Sequence, residues 1–168
     1  RCKRKVSFRC LWRCHAHHRL SMAIVYLSLG SNLGDRHSLL SAALEMLQTR
    51  VGRLLTLSRF YETEPWGFES PHPFLNAVVA LRSELKPQDI LHITQAIERE
   101  LGRTQKSNGG VYHDRPIDID ILLHSVYPKV QSPELELPHP QMWQRDFVRM
   151  PLSDVAPWLH PEAPTPNL

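Results

Sequence analysis

An α+β fold is predicted by three features of this 168-residue chain. Short β-prone runs alternate with stretches of helical periodicity, the element order is β-α-β-β-α-β, and no repeat or interdomain linker interrupts it. That order is the split βαβ or ferredoxin-like plan: an antiparallel four-stranded sheet with helices packed on one face and, here, a C-terminal wrapping segment. One domain is expected over residues 22–168.

Each element has its own signal. Ala23 to Leu29 is apolar and β-prone, and G-S-N-L-G-D-R (30–36) makes a turn and a helix cap. Leu39, Leu40, Ala43, Leu44 and Leu47 recur at helical spacing and predict a helix over 37–50. Residues 54–62 predict one strand, and the Pro/Gly-rich stretch 62–73 a loop. The run F-L-N-A-V-V-A-L-R-S-E-L (74–85) is apolar on both faces, as a central strand is. Pro87 opens a second helix, with Ile90, Thr94, Ile97 and Leu101 as its stripe and Gly102 as its stop. A polar loop over 103–116 leads to a last strand. The proline-rich tail after Leu123 is expected to wrap the sheet or cover a site.

Charge is unevenly spread. The net charge is +3, but residues 1–21 hold seven of the 20 Lys/Arg and no acid, which leaves 13 basic against 17 acidic residues elsewhere, a net of −4. The body is therefore mildly acidic, and its composition does not point to nucleic acid. All three cysteines (Cys2, Cys10, Cys14) also lie in the first segment, so no disulfide holds the body together, and a reducing cytoplasm is expected. Cys10, Cys14, His15, His17 and His18 match no standard zinc-finger spacing. Residues 1–21 are expected to be a disordered extension or sequence upstream of the true start. No apolar run reaches about 18 residues, so no membrane span is expected.

The chemistry is concentrated in R-P-I-D-I-D-I-L-L (115–123). In a strand Ile117, Ile119 and Ile121 share one face, and Asp118 and Asp120 share the other with Cα atoms roughly 6.5–7 Å apart. The hydrophobicity of the run predicts an inner strand, where solvated acids are unusual. Two repelling carboxylates there call for a cation, and hard oxygen ligands suit Mg²⁺ with substrate phosphates. An exposed, solvated strand face is the alternative. Arg103, Lys106, Arg115, His139 and Arg145 are ordinary surface residues taken singly; gathered near the carboxylates they would clamp phosphates. The K-S-N-G-G stretch of loop 103–116 is a flexible segment that would close over a substrate. Trp66, Phe68, Phe74, Asn76 and Phe147 combine aromatic faces with an amide, a means of reading a flat heterocycle, although strand aromatics are ordinarily core. Neither phosphate-cradling glycine motif occurs, and no signature for covalent catalysis stands out.

G-S-N-L-G-D-R, F-Y-E-T-E-P-W-G, F-L-N-A-V, I-E-R-E-L-G-R, R-P-I-D-I-D-I-L-L, L-P-H-P and R-D-F-V-R-M-P-L follow one another between Met22 and Trp158. The series resembles the 6-hydroxymethyl-7,8-dihydropterin pyrophosphokinases of folate biosynthesis. The resemblance implies that the pterin hydroxymethyl oxygen attacks the β-phosphorus of ATP and AMP leaves. It implies two Mg²⁺ ions on Asp118 and Asp120, with Arg103 and Arg115 also catalytic. By the same resemblance Gln95, Glu98, Arg103, Arg115, Ile119, His139 and Arg145 contact ATP, and Thr63, Trp66, Phe74, Asn76, Asp118 and Phe147 contact the pterin, with Phe147 stacked on its ring. A cytoplasmic monomer without nucleic-acid or membrane partners is expected. Phe74 stands where the family often has Tyr, Gln105 replaces a basic residue of some members, and Tyr112 sits near an expected loop Trp.

Two other classes share the element order. An RNA-recognition module carries an aromatic R/K-G-F/Y-G/A-F-V-x-F/Y series, which F-L-N-A-V-V-A-L lacks. A regulatory ligand-binding module has no use for a pair of metal-binding carboxylates.

Overall fold

The computed structural model describes residues 22–104 and 112–161. The expectations placed on residues 1–21, on Gln105 and on the loop containing Lys106 lie outside them.

The central strands form where the sequence is most apolar. Strand β1 (Ala23–Ser31) and strand β4 (Phe74–Ser83) are buried almost throughout and pair antiparallel, Ala23 opposite Ser83 and Ser31 opposite Leu75. Helix α1 (Arg36–Arg50) starts at Asp35, whose carboxylate accepts from the Ser38 backbone N–H at 3.0 Å. It ends where the Val51 N–H returns to the Leu47 carbonyl. Helix α2 (Pro87–Glu100) has proline at its first position, and Gly102, at φ +96°, takes the left-handed conformation that terminates it.

The segment expected as one strand over 54–62 is two, β2 (Arg53–Leu57) and β3 (Tyr61–Thr63), both paired with β4. Ser58 breaks it: its hydroxyl accepts the Val78 N–H at 2.9 Å and donates to the Arg59 carbonyl at 2.7 Å. A side chain thus takes over a main-chain role, and the register slips before β3 begins. Strand β5 (Asp118–His124) pairs only with β1, so the sheet runs β2-β4-β1-β5, with β3 beside β4. The D-I-D strand is therefore an edge strand and not the inner one its hydrophobicity implies. It is apolar because both faces are covered. Short strands β6 (Val130–Gln131) and β7 (Glu136–Leu137) form a separate hairpin.

The two faces of the sheet differ. Val25, Leu27, Leu29, Val79, Leu81, Ile117, Ile119 and Ile121 pack with Leu40, Leu47, Ile90 and Ile97 of α1 and α2. On the opposite face Tyr26, Val78, Ala80 and Leu122 are covered by Val148, Leu152 and Val155 of a third helix, α3 (Asp146–Val155). Helices thus lie on both faces, where one face was expected. Helix α3 covers only part of its face. Beyond it, towards the C-terminal end of β1, the residues turn small or polar: Ser28 and Gly30 on β1, Asn76 on β4, Asp118 and Asp120 on β5. The open part of this face is the site.

His124 closes the far end of β5 and is 2 % exposed. Its Nε2 donates to the Leu85 carbonyl at 3.1 Å and its Nδ1 accepts the Tyr127 N–H at 3.1 Å, and the second bond needs the neutral ring. Burial lowers its pKa below the usual 6.5. A histidine held neutral adds stability above the unfolded-state pKa, and that stability is lost as pH falls below 6.5 towards the folded value. Chemical denaturation should find His124→Gln less stable than the parent by about 1–3 kcal/mol at pH 7.5, with the gap narrowing towards pH 5. A gap that widens in acid would contradict the neutral tautomer.

Candidate active site

Over the open part of the sheet lies a cavity of ≈ 200 Å³ lined by residues from β1, β3, β4, β5, the loops 64–73 and 112–117, Arg103 after α2, His139 after β7, and the start of α3. Among the residues singled out from sequence, Arg103, Arg115, Asp118, Asp120, His139, Arg145, Thr63, Trp66, Phe68, Phe74, Asn76 and Phe147 all line it. Gln95, Glu98 and Ile119 do not: Gln95 is half-buried on α2, and Glu98 and Ile119 lie beneath the floor.

The electrostatics begin at Asp118. One carboxylate oxygen accepts from the Arg103 guanidinium, and the other accepts from Arg115 at 2.7 Å. Arg103 follows directly on Gly102 at the end of α2, so the helix stop aims it. The same Arg103 Nη1 donates to Glu98 Oε1 at 2.7 Å, and that oxygen also accepts the Ile119 backbone N–H at 2.8 Å. Burial works to raise the Asp118 pKa, but Arg115 and Arg103 hold it below the usual carboxylate range. Asp120 goes the other way. Burial and the Asp118 charge raise it to about 6, with Arg145 Nη1 at 3.8 Å as its nearest cation among the described residues. Burial lifts Glu98 to about 7, against the pull of Arg103. His139 differs from its expected place among the cations, since burial and Arg145 push it down to about 4 and leave it neutral near pH 7.

Two guanidinium groups also meet the aromatic walls. Arg145, the residue from which α3 starts, lies with Cζ 4.7 Å from the Trp66 ring centroid and 5.6 Å from that of Phe147. Arg115 lies 5.0 Å from the Phe74 ring, and Tyr112 stands between the two arginines at 6.0 and 5.9 Å. The Nε atoms of both arginines are buried without a partner among the described residues. Both therefore keep a donor in reserve for an anion. Opposite them, the Asn76 Nδ2 donates to Thr63 Oγ1 at 2.9 Å, which orients the carboxamide in the bay between Phe74 and β1.

Some residues of the site had no advance signal. Asn32, 3 % exposed, accepts the Arg115 N–H at 2.8 Å and donates to Asp114 at 2.6 Å and to the His72 carbonyl at 3.1 Å. It ties the loop after β1 to the two loops that carry Arg115 and Trp66. It stands in G-S-N-L-G-D-R, whose local pattern indicates a turn and a helix cap but no role for Asn32. Ser28, Gly30 and Glu64 also line the cavity; Gly30 and Glu64 stand in the motifs G-S-N-L-G-D-R and F-Y-E-T-E-P-W-G, but no role is expected of them individually.

Among the described residues no three His, Cys, Asp or Glu side chains converge as a self-sufficient ligand cluster. Two carboxylates on one strand face beside unengaged guanidinium donors suit a cation that draws its other ligands from water and substrate phosphates, as Mg²⁺ does. A site so built suits a transferase that moves a phosphate-bearing group with the help of a divalent cation.

Comparison with known proteins supplies the particular family. The family model described as 7,8-dihydro-6-hydroxymethylpterin-pyrophosphokinase (HPPK) matches residues 26–157, and the chain belongs to that family. The 2-amino-4-hydroxy-6-hydroxymethyldihydropteridine pyrophosphokinase of Bacillus subtilis is 39% identical over 141 residues, covering 83% of this chain and 82% of the relative. Its counterpart from Aquifex aeolicus is 40% identical over 141 residues, covering 83% and 85%. Among solved structures, wild-type Plasmodium falciparum HPPK-DHPS with STZ-DHP aligns at TM-score 0.65 and 15% identity, over 88% of this chain and 41% of that one, a likeness of fold.

Proposed function

We propose that this cavity is the catalytic centre of the pyrophosphokinase reaction, with the facing of Asp118 and Asp120 towards Arg103, Arg115 and Arg145 as the observation that carries the reading. The chain transfers the pyrophosphoryl group of ATP to the hydroxymethyl group of 6-hydroxymethyl-7,8-dihydropterin in folate synthesis. The hydroxymethyl oxygen forms a bond to the β-phosphorus, the bond from that phosphorus to the oxygen kept by AMP breaks, and the hydroxyl proton is released.

Asp118 and Asp120 would hold the two expected Mg²⁺ ions, which would supply neutralisation of phosphate charge. Arg103, Arg115 and Arg145 bind phosphate oxygens, Arg115 and Arg145 through Nε donors that have no partner among the described residues. Neutral His139 offers a hydrogen bond without adding repulsion among the cations. Gln95, Glu98 and Ile119 flank the nucleotide from the α2 side, Glu98 by fixing Arg103. Phe147 and Trp66 stack on the pterin with Phe74, Asn76 reads its polar edge, and Thr63 keeps Asn76 in place. Asp118, one strand away from Asn76 across β1, meets the reacting substituent. Positioning and charge neutralisation supply the rate in such a transfer.

The sheet order β2-β4-β1-β5 supports a ferredoxin-like plan, with the described segment 125–161 wrapping the open face and delivering His139, Arg145 and Phe147. Among the described residues no helix is long and apolar enough to cross a membrane. A cytoplasmic enzyme without nucleic-acid or membrane partners agrees with the acidic body. Purified protein should form AMP from ATP only when both the hydroxymethylpterin and Mg²⁺ are present. AMP formation that ignores the pterin would refute the acceptor, and AMP formation that persists in excess chelator would refute the metal assignment.

A further inference from the structure

Residues on the site face of β1 decrease in size towards the cavity: Tyr26, then Ser28, then Gly30. Tyr26 belongs to the apolar cluster under α3, whereas Ser28 and Gly30 line the cavity. Gly30 is in register with Asn76 on one side and with Asp118 on the other. Strands about 4.8 Å apart put those two residues' backbones roughly 10 Å from each other, with no side chain between them. Backbone conformation does not require glycine here. The described glycines with positive φ are Gly34, Gly67 and Gly102. Space does require it, since a Cβ at Gly30 would lie 2.9 Å from Asn76 Oδ1 and 3.5 Å from Phe74 Cδ1. The Asn76 carboxamide is tied at its other end to Thr63 Oγ1 at 2.9 Å, so yielding to a methyl group would break or bend that bond.

Resting on the pterin reading of the pocket, the structure assigns Gly30 as a positioning residue for the acceptor: its missing side chain lets the Asn76 carboxamide lie across β1 at the orientation that reads the flat ring. It acts through Asn76 and leaves the phosphate-binding half of the cavity alone. Arg103, Arg115 and Arg145 are absent from the contacts that a Cβ would make.

The test is a double-mutant cycle on Gly30→Ala and Asn76→Ala, read as pterin KM, kcat, MgATP affinity and thermal midpoint on the same preparations. Asn76→Ala should raise pterin KM by at least about tenfold, as loss of a polar substrate contact does. Gly30→Ala should raise it by about tenfold, with MgATP affinity within twofold of the parent. In the double variant the two effects should not multiply, because the displaced amide is already gone. Multiplying effects, or a Gly30→Ala pterin KM within twofold of the parent, would overturn the inference. An unchanged pterin KM in Asn76→Ala would instead defeat the pterin reading, and the inference with it. Thr63→Ala releases the other anchor of Asn76 without adding bulk, so it serves if Gly30→Ala does not fold. It should raise pterin KM several-fold with MgATP affinity retained, and an unchanged value would also overturn the assignment.

Discussion

Asp118→Asn and Asp120→Asn should each reduce kcat by about 10²–10³-fold, yet change stability in opposite directions. The catalytic loss follows from removing a metal ligand where a cation supplies several kcal/mol of transition-state stabilisation, at about 1.36 kcal/mol per decade of rate. The stability effects follow from the surroundings of each carboxylate. Asp118 is the counter-ion of Arg103 and Arg115, whose side chains are only 10% and 13% exposed. Neutralising it strands buried positive charge, and breaking such pairs destabilises by roughly 3–5 kcal/mol when burial is complete. Some of that is spared because Arg103 keeps Glu98. Asp120 is instead raised to about 6 by burial and by Asp118, and Arg145 lies 3.8 Å away. A neutral isostere there relieves repulsion, so Asp120→Asn should unfold at the same or higher denaturant concentration than the parent. Denaturation curves at pH 7.5 without Mg²⁺, alongside turnover, separate the two. Equal destabilisation by both variants would mean that Asp118 is not the anchor of the arginine pair.

Arg115→Ala should lower kcat/KM for ATP by about 10²–10³-fold, the usual loss when a donor to developing charge is removed. Arg115 is held from four directions: its backbone N–H by Asn32, its Nη1 by the His113 carbonyl, its Nη2 by Asp118, and its face by Phe74. Lysine keeps the charge without the planar fork, so Arg115→Lys should recover only part of the rate. Steady-state kinetics and direct ATP binding divide the loss between affinity and turnover. Turnover in Arg115→Ala within threefold of the parent would remove Arg115 from the phosphate clamp.

Much of the site could be read from the sequence because it lies on alternating strand positions. Asp118 and Asp120 had to share a face whatever the tertiary structure, and Asn76 within an apolar run needed a reason to be there. Helices α1 and α2 announced themselves through caps and stripes. Helix α3 did not. Pro151 interrupts its hydrogen bonding, and the prolines before it make the tail look irregular, so packing on β4 and not local propensity decides its form. The break at Ser58 depends on a side-chain bond to a strand distant in sequence. The edge position of β5 was concealed because its composition reflects covered faces, and composition says nothing about which edge is paired. Asn32, Gly30 and the contact of Glu98 with Ile119 depend on chain segments converging from far apart, and no local pattern encodes that.

The carboxylate of Glu98 has a consequence away from the chemistry. An edge strand offers unpaired N–H and C=O groups to any passing chain, and β5 is long and apolar enough to be such a template. Glu98 takes the Ile119 N–H, and the His139 N–H takes the Leu122 carbonyl at 3.0 Å, so side chain and tail close the outer rim of β5. Protection against intermolecular strand pairing is thus built from the same residues that fix Arg103 and deliver His139. A change at Glu98 is therefore felt both at the rim of β5 and at Arg103.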